Sequence, residues 1–345
     1  MVRRVRLGRR HDPGRPLRWN GPPPVLLVAT VAAFAVLPFV HHGAAPRGAV
    51  APASAPVAPS GASRGQDAVQ HLEVSRGGVA SAGLAPLRLK PAHVGVASFN
   101  MFYKLSADQA RQDAQRLTRE ADVDVIGWQE AQNFSGVLHA LPGWQTYTSP
   151  GSELAVSWRS SQFDLVTAHL REVARGVTVT EGRYPFARRL VLTVTLRHLE
   201  TGRTLTVVDA HLPHMIEDLA RPGHWTPTLN AGRARAQLRS IASTWRGLGD
   251  HEAIGTGDFN FDARADAAED PAGGPRAVLG PVAISSYMAL GTDVGATYPE
   301  NDRRIDYVWA DREAYEAGRI RFTAQRVVGG MNSDHNALVA HLLLS

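Results

Sequence analysis

Short apolar runs of strand length recur from residue 92 to the end of the chain, and two longer segments among them have helical spacing. Many strands with few long helices predict an α+β fold in which two sheets pack face to face and helices flank them. The predicted helices cover residues 107–121 and 229–245. The predicted strands are His93–Asn100, Val123–Trp128, Glu153–Trp158, Leu165–Glu172, Arg189–Arg197, Thr204–His211, Ala253–Gly257, Ile305–Trp309, Arg321–Val328 and Ala337–Leu344.

Local signals predict three details of this fold. Ser106 is followed three residues later by Gln109, the pattern of a capping box at the start of a helix. The segment 198–203 contains Gly202 between two strands and predicts a hairpin. Trp128 alternates to the opposite face of its strand from Glu130, so we expect Trp128 in the core.

Polar side chains sit at or next to the ends of these strands. Because strand ends on one edge of a sheet converge in space, we expect such side chains to form one site on a rigid support. Asp306 lies inside an apolar run, where a buried carboxylate needs a partner. The side chains concerned are Asn100, Glu130, His211, Asp258, Asn260, Asp306, Asp334 and His335.

This inventory of groups is typical of metal-assisted phosphoryl hydrolysis. Glu130 and Asp334, with Asn100 as a neutral ligand, could hold a hard cation such as Mg²⁺, with Mn²⁺ as a second candidate.

The other polar groups could perform the catalytic steps. Asp258 and Asn260 could align the attacking water. His335, oriented by Asp306, could act as a base or stabilise the charged phosphate, and His211 could contact phosphate or protonate the leaving group.

Each feature alone also has an ordinary structural interpretation. The turn 257–260 could be a plain Asx turn, 333–335 a helix cap or loop, Glu130 a surface acid and His211 a core histidine. Their joint occurrence at strand ends favours the functional interpretation.

The first 91 residues differ in composition from the rest. The head, 1–24, is rich in arginine, and 25–40 is an uncharged run of 16 residues, shorter than the ~20 that span a bilayer. This pattern is typical of a signal peptide or, if uncleaved, a membrane anchor; both remain open. Residues 41–91 are rich in Ala, Pro, Gly and Ser and predict a flexible linker. We therefore expect the domain 92–345 outside the cytoplasmic membrane, secreted or anchored.

Charge and cysteine content exclude several classes. The chain has 37 Lys+Arg and 32 Asp+Glu, but residues 92–345 carry 25 basic and 29 acidic residues, a net charge of −4. The domain therefore lacks the basic balance of a typical nucleic-acid-binding module. Zero cysteine excludes a disulfide scaffold, a thiolate zinc site and a cysteine nucleophile.

Six segments in fixed order resemble the endonuclease/exonuclease/phosphatase superfamily, which has the DNase-I-like fold. They are SFN (98–100), WQE (128–130), VVDAHL (207–212), GTGDFN (255–260), RRIDYVW (303–309) and SDH (333–335). The resemblance covers 92–345. It implies a four-layer α/β/β/α sandwich with two central mixed sheets, and hydrolysis of phosphate esters, usually with magnesium.

The resemblance also implies roles for matching positions. Asn100, Glu130 and Asp334 match metal-binding positions, and Asp258 and Asn260 match the pair that aligns water. Asp306 matches the partner of the catalytic histidine, His335, and His211 matches the family's other histidine. One departure is Asp209, where the family often has Asn.

The substrate stays open between several classes. We expect a phosphodiesterase, with nucleic acid as one candidate substrate; a phospholipid or sphingomyelin phosphodiesterase and a catalytically silent binding module are the alternatives. We expect a monomer. Arg188 is a candidate contact for substrate phosphate, because guanidinium suits phosphate. Trp225, in the long segment 213–228 after His211, is a candidate substrate contact or a surface anchor of that loop.

Overall fold

The computed structural model describes residues 90–176, 187–249 and 252–345. The predicted head, the apolar segment and all but the last two residues of the predicted linker lie outside these ranges. Within the described ranges, no helix has both the length and the apolar character needed to cross a membrane.

Two six-stranded mixed sheets form the centre of the fold, which confirms the predicted architecture. The strands are β1 Ala92–Asn100, β2 Val125–Gln129, β3 Trp144–Thr148, β4 Ala155–Arg159, β5 Phe163–Ala174, β6 Arg189–His198, β7 Thr204–His211, β8 Glu252–Asp258, β9 Ala283–Ser285, β10 Asp306–Asp311, β11 Ile320–Val328 and β12 Ala337–Leu344. The first sheet has the order β11-β12-β1-β2-β4-β3, and the second has the order β5-β6-β7-β8-β10-β9.

Seven α-helices are described. They are α1 Ala107–Thr118, α2 Ser135–His139, α3 Leu229–Arg246, α4 Ala263–Glu269, α5 Pro275–Leu279, α6 Ser286–Leu290 and α7 Arg312–Glu316. Buried side chains of α1 and α2 pack in one cluster with Phe99 and Trp128 of the first sheet. Buried side chains of α3 join the main core cluster with the second sheet. The helices therefore cover the sheets from outside.

The local predictions agree with the structure in most places. Ser106 and Gln109 form both hydrogen bonds of the capping box at the start of α1. Gly202 has φ +72° in the predicted hairpin, a conformation that glycine adopts without steric cost. Trp128 is fully buried, and its Nε1 donates to Ser157 Oγ.

Several features of the fold differ from the sequence prediction, and the three-residue strand β9 and the short helices α2, α4, α5, α6 and α7 were not predicted at all. Helix α1 ends at Thr118 and not at residue 121. Strand β3 was not predicted, because it is a short edge strand whose Gln145, Thr146 and Thr148 give little apolar signal.

The two sheets are tied together by polar contacts near one end of the sandwich. Ser98 Oγ, on β1, accepts from the backbone N–H of Gly257 on β8 at 2.9 Å. Gln129 Nε2, at the end of β2, donates to Asp209 Oδ1 on β7 at 2.6 Å. Because these buried contacts are directional, they fix the register of one sheet against the other.

Candidate active site

A cleft of about 340 Å³ opens at the end of the sandwich where β1, β2 and β8 terminate. Six of the eight predicted strand-end residues line it: Asn100, Glu130, Asp258, Asn260, Asp334 and His335. The other two, His211 and Asp306, lie directly behind this lining and contact it. The sequence prediction that these residues converge therefore agrees with the structure.

Asp258 is the centre of this cluster and is almost fully buried. Its Oδ2 accepts from Asn100 Nδ2 at 3.0 Å and from Asn260 Nδ2 at 3.2 Å. Its Oδ1 accepts from the backbone N–H of Asn260 at 2.8 Å. These donors hold the carboxylate in one orientation, with Asn100 supplied by the first sheet and Asp258 by the second.

His335 and Asp306 form a buried pair on one side of Asp258. His335 Nδ1 lies 2.9 Å from Asp306 Oδ2, and His335 Nε2 lies 3.7 Å from Asp258 Oδ2. Burial disfavours the imidazolium, but Asp306 and Asp258 outweigh it and raise the pKa of His335 to about 9. A protonated His335 presents an N–H donor and a positive charge at the cleft wall.

His211 also contacts Asp258 but does not line the cleft. Its Nε2 is 3.4 Å from Asp258 Oδ2 and 3.4 Å from Asn260 Nδ2. Its Nδ1 is 3.2 Å from Glu153 Oε2, and Glu153 is also paired with Arg189. In this arrangement His211 positions Asp258 and Asn260 from behind.

The charges of this second group are strongly coupled. Burial would raise the pKa of Glu153, but His211 and Arg189 lower it to about 2. Burial alone would lower the pKa of His211, and the Glu153 carboxylate raises it above its usual value. Glu153 belongs to no sequence motif and cannot be recognised from the sequence, because its partners become its neighbours only when the two sheets pack.

Four residues of the cleft lining have positive φ although none is glycine. These residues are Phe102, Glu130, Met215 and Asn260, with φ between 48° and 58°. Such conformations cost about 1–3 kcal/mol each and concentrate at functional sites. Glu130 reaches its place through this turn, since it immediately follows β2 and its Oε2 accepts from Tyr103 N at 2.9 Å.

The oxygen-rich side of the cleft fits a hard divalent cation. No group of three or more His, Asp or Glu side chains within the described ranges has a metal-binding arrangement by itself. Glu130 and Asp334 nevertheless line the same cleft, and Mg²⁺ commonly uses one or two carboxylates with water and substrate oxygens. Partial burial raises the pKa of Asp334; His335 opposes this shift, and the nearby Glu130 carboxylate adds to it. A cation between the two carboxylates would relieve this repulsion.

Asp209 lies behind the site and is fully buried. Its Oδ1 accepts from Gln129 Nε2 and from Thr256 Oγ1, whereas Oδ2 lacks a hydrogen-bond partner within the described structure. Burial raises the pKa of Asp209 well above its usual value, and the two donors oppose this only in part. Its contacts are with protein groups of both sheets, so its role is to join them.

The two predicted substrate contacts do not lie on the cleft wall. Arg188, which immediately precedes β6, is exposed and makes a 3.8 Å ion pair with Glu172 on β5. Trp225 packs its ring on Phe261 at 4.7 Å and lies under the Arg235 guanidinium. Trp225 therefore anchors the loop that follows His211, the second of the two interpretations that its sequence position allowed.

Other residues of the cleft were not singled out from the sequence. Tyr298 packs edge-on against the His335 ring at 5.1 Å, and Lys104 lies over the rings of Phe102 and Tyr103. Arg303, by contrast, belongs to the RRIDYVW segment, and it donates to Glu217 and to the backbone oxygen of Asn260. These residues occupy loops, where strand periodicity gives no signal.

Comparisons with known proteins concern the family and the fold of this chain. The family model described as the Endonuclease/Exonuclease/phosphatase family matches residues 97–335. The search of curated proteins found no match.

Three similar solved structures have low sequence identity to this chain. The endonuclease/exonuclease/phosphatase from Bacteroides vulgatus has a TM-score of 0.55 and 18% identity, covering 74% of this chain and 100% of its own. The mannosyl-6-phosphatase Bt3783 from Bacteroides thetaiotaomicron has a TM-score of 0.51 and 17% identity, with coverage of 72% and 99%. D. rerio TDP2, complexed with a single-strand DNA product, has a TM-score of 0.53 and 13% identity, with coverage of 73% and 99%.

These identities show a shared fold, whereas the family model matches more than half of the chain. The chain therefore belongs to the endonuclease/exonuclease/phosphatase family, a family of phosphoesterases.

Proposed function

We propose that this protein is a divalent-metal-dependent phosphoesterase that hydrolyses a phosphodiester outside the cytoplasmic membrane. The observation that carries the proposal is the position of Asp258. Its Oδ2 lies 3.7 Å from His335 Nε2, in a cleft that Glu130 and Asp334 also line. A base, a cationic donor and two carboxylate ligands thus surround one space large enough for a phosphoryl group.

Asp258 is the group that orients and deprotonates the attacking water. The hydrogen bonds from Asn100 and Asn260 fix its carboxylate, and such fixation lowers the entropic cost of reaching the reactive geometry. Asn260 lies beside Asp258 on the cleft wall, so its side chain can hold the same water.

His335 stabilises the negative charge that develops on the phosphoryl oxygens. Its Nδ1 is held by Asp306, so its Nε2 side is left to face Asp258 and the cleft. In enzymes that use such a preoriented donor, removing it lowers transition-state stabilisation by about 3–4 kcal/mol.

Glu130 and Asp334, with the Asn100 side chain beside them, are the groups that would hold the metal. Mg²⁺ or Mn²⁺ held there would provide Lewis-acid chemistry toward the phosphoryl and leaving oxygens. The neighbouring Glu130 and Asp334 carboxylates supply the negative potential that attracts it.

The proposed location rests on the leader. The arginine-rich head and the uncharged run 25–40 support export, by cleavage or by anchoring, and 41–91 would place the domain at a distance from the membrane.

A substrate panel tests the function. Full-length protein would be incubated with 4-nitrophenyl phosphate, bis(4-nitrophenyl) phosphate, DNA, RNA and sphingomyelin vesicles, each with Mg²⁺, with Mn²⁺ or with EDTA. The proposal expects diester hydrolysis that EDTA abolishes and Mg²⁺ restores. No hydrolysis of any of these compounds with either metal would favour a catalytically silent binding module.

A further inference from the structure

A second cavity of about 470 Å³ continues directly from the cleft. It lies between the turn after Glu217, one face of α4 and the turn at 301–303. The two cavities share Glu217, Leu219, Asn301 and Arg303 in their linings. We call this second cavity the side groove. The side groove therefore adjoins the cleft, and a substituent of a molecule held in the cleft can reach it past Leu219.

The floor of the side groove has its polar groups already paired within the protein. Glu217 Oε1 accepts from Gly223 N at 2.7 Å, and Oε2 accepts from Asp262 N at 2.9 Å and from Arg303. Asp262 Oδ1 accepts from Arg264 N and Ala265 N, and Oδ2 accepts from Arg304 N. These saturated groups leave little for a polar ligand to bind.

The lining of the side groove combines the polar residues of its floor and rim with an apolar strip. Leu219 stands at the junction of the two cavities with 61% of its surface exposed. Pro222, Ala265 and Ala268 continue this surface. On the cleft side of the junction, Met215 is 71% exposed. Large apolar side chains left in water beside a reaction site are typical of a surface that binds an apolar group.

The cations of the two cavities do not form a track for a polyanion. Of the described lining residues, Lys104, Arg264 and Arg303 carry fixed positive charge. Arg303 is paired with Glu217, and Arg264 lies 3.4 Å from Asp302. A nucleic-acid strand needs a row of cations spaced along its phosphates. The charge distribution therefore favours a substrate with one phosphate and an uncharged substituent.

We propose that the side groove binds the alkyl or aryl substituent of the substrate, so that the enzyme prefers an amphiphilic phosphoester. This inference rests on the proposed function, because the phosphoryl group of the same molecule must occupy the cleft. It names the substrate class that the cleft residues alone leave open.

Inhibition by alkylphosphonates of increasing chain length tests the proposal. Methyl-, butyl- and octylphosphonate would compete with bis(4-nitrophenyl) phosphate, with Mg²⁺ present. Only the longer chains can reach the side groove. Each methylene that leaves water contributes up to about fourfold in affinity, so we expect octylphosphonate to bind at least about tenfold more tightly than methylphosphonate.

Two variants test whether the gain in affinity with chain length arises in the side groove. Leu219→Asn removes the exposed apolar side chain at the junction, and Ala268→Glu fills the groove from an exposed position of α4. In both variants, the inhibition constants of methylphosphonate and octylphosphonate should differ by no more than about threefold. Leu290→Asn, an exposed leucine outside both linings, should keep the wild-type ratio.

The outcomes separate the two proposals. If the diester is hydrolysed but chain length has no effect on inhibition, the side groove proposal is wrong and the proposed function stands. If no ester is hydrolysed, calorimetry with the same phosphonates still measures how affinity depends on chain length. Tighter binding of the longer chains would then support the side groove proposal but not the proposed function. Tighter binding of a single-stranded oligonucleotide than of octylphosphonate, lost in Ala268→Glu, would overturn the proposal.

Discussion

Asn100 Nδ2, at the end of β1, donates a 3.0 Å hydrogen bond to Asp258 Oδ2, at the end of β8. The bond crosses from one sheet to the other, so the orientation of the proposed base depends on how the two sheets pack. Ser98 and Gln129 make further cross-sheet bonds close by. The rigid core therefore preorganises the cleft, which a loop-based site could not achieve to the same precision.

Removing either proposed metal ligand should weaken Mg²⁺ binding. For Glu130→Gln and Asp334→Asn, we expect the Mg²⁺ concentration at half-maximal activity to rise at least about tenfold, since a hard cation loses a charged oxygen ligand. The rise in melting temperature on adding Mg²⁺ should shrink in parallel, because ligand stabilisation follows the dissociation constant. Glu172→Gln, which changes an exposed acid on β5, is the matched control. An unchanged Mg²⁺ response in both variants would remove these residues from the metal site.

His335 and Asp306 should act as one unit. His335→Asn and Asp306→Asn should each lower kcat by about 10²–10⁴-fold, the usual contribution of a positioned acid or base. The double variant should be little worse than the more severe single variant, because the carboxylate acts through the imidazole. Independent, multiplicative losses in this double-mutant cycle would contradict the pairing.

Asp209→Asn should keep the fold and raise stability at high pH. The pKa of Asp209 is raised in the folded state, so its contribution to stability is complete below the unfolded pKa and is lost as pH rises through the folded pKa. Asparagine cannot ionise and can still accept from Gln129 and Thr256. Urea unfolding at pH 6 and pH 9 should show the advantage of the variant growing with pH. A variant equally or less stable at pH 9 would indicate that the carboxylate is charged in the folded protein.

Glu153→Gln should destabilise the protein at neutral pH and less so in acid. The folded-state pKa of Glu153 is about 2, below its ordinary value of 4.5, so the contribution of its charge to stability is present above pH 4.5 and disappears as pH falls toward 2. The shift corresponds to a loss on the order of 3 kcal/mol. Urea midpoints at pH 7 and pH 3 measure it, with Glu172→Gln as an exposed control. A difference that stays constant between the two pH values would mean that His211 and Arg189 do not favour the charged form of Glu153.

The sequence was sufficient to predict which residues lie at strand ends and converge on the cleft. Each of these residues directly follows or flanks an apolar run that the core must bury. The sequence could not reveal the partnership of Glu153 with His211, which arises only from the packing of the two sheets. It also suggested Arg188 and Trp225 as substrate contacts, since residue type alone does not tell which way a strand end or loop turns. The side groove was not predicted, because α4 spans only seven residues, too few to show a helical pattern of apolar residues in the sequence.

The most direct test compares wild type with Asp258→Asn in the hydrolysis of bis(4-nitrophenyl) phosphate at saturating Mg²⁺. Asparagine keeps the size of the side chain, but it offers one acceptor oxygen where aspartate offers two, and it cannot take a proton from water. With Asp164→Asn as a control on the exposed surface of β5, we expect kcat to fall by about 10³-fold or more in Asp258→Asn alone, with circular dichroism showing that the variant is folded. Wild-type turnover by folded Asp258→Asn would contradict the account.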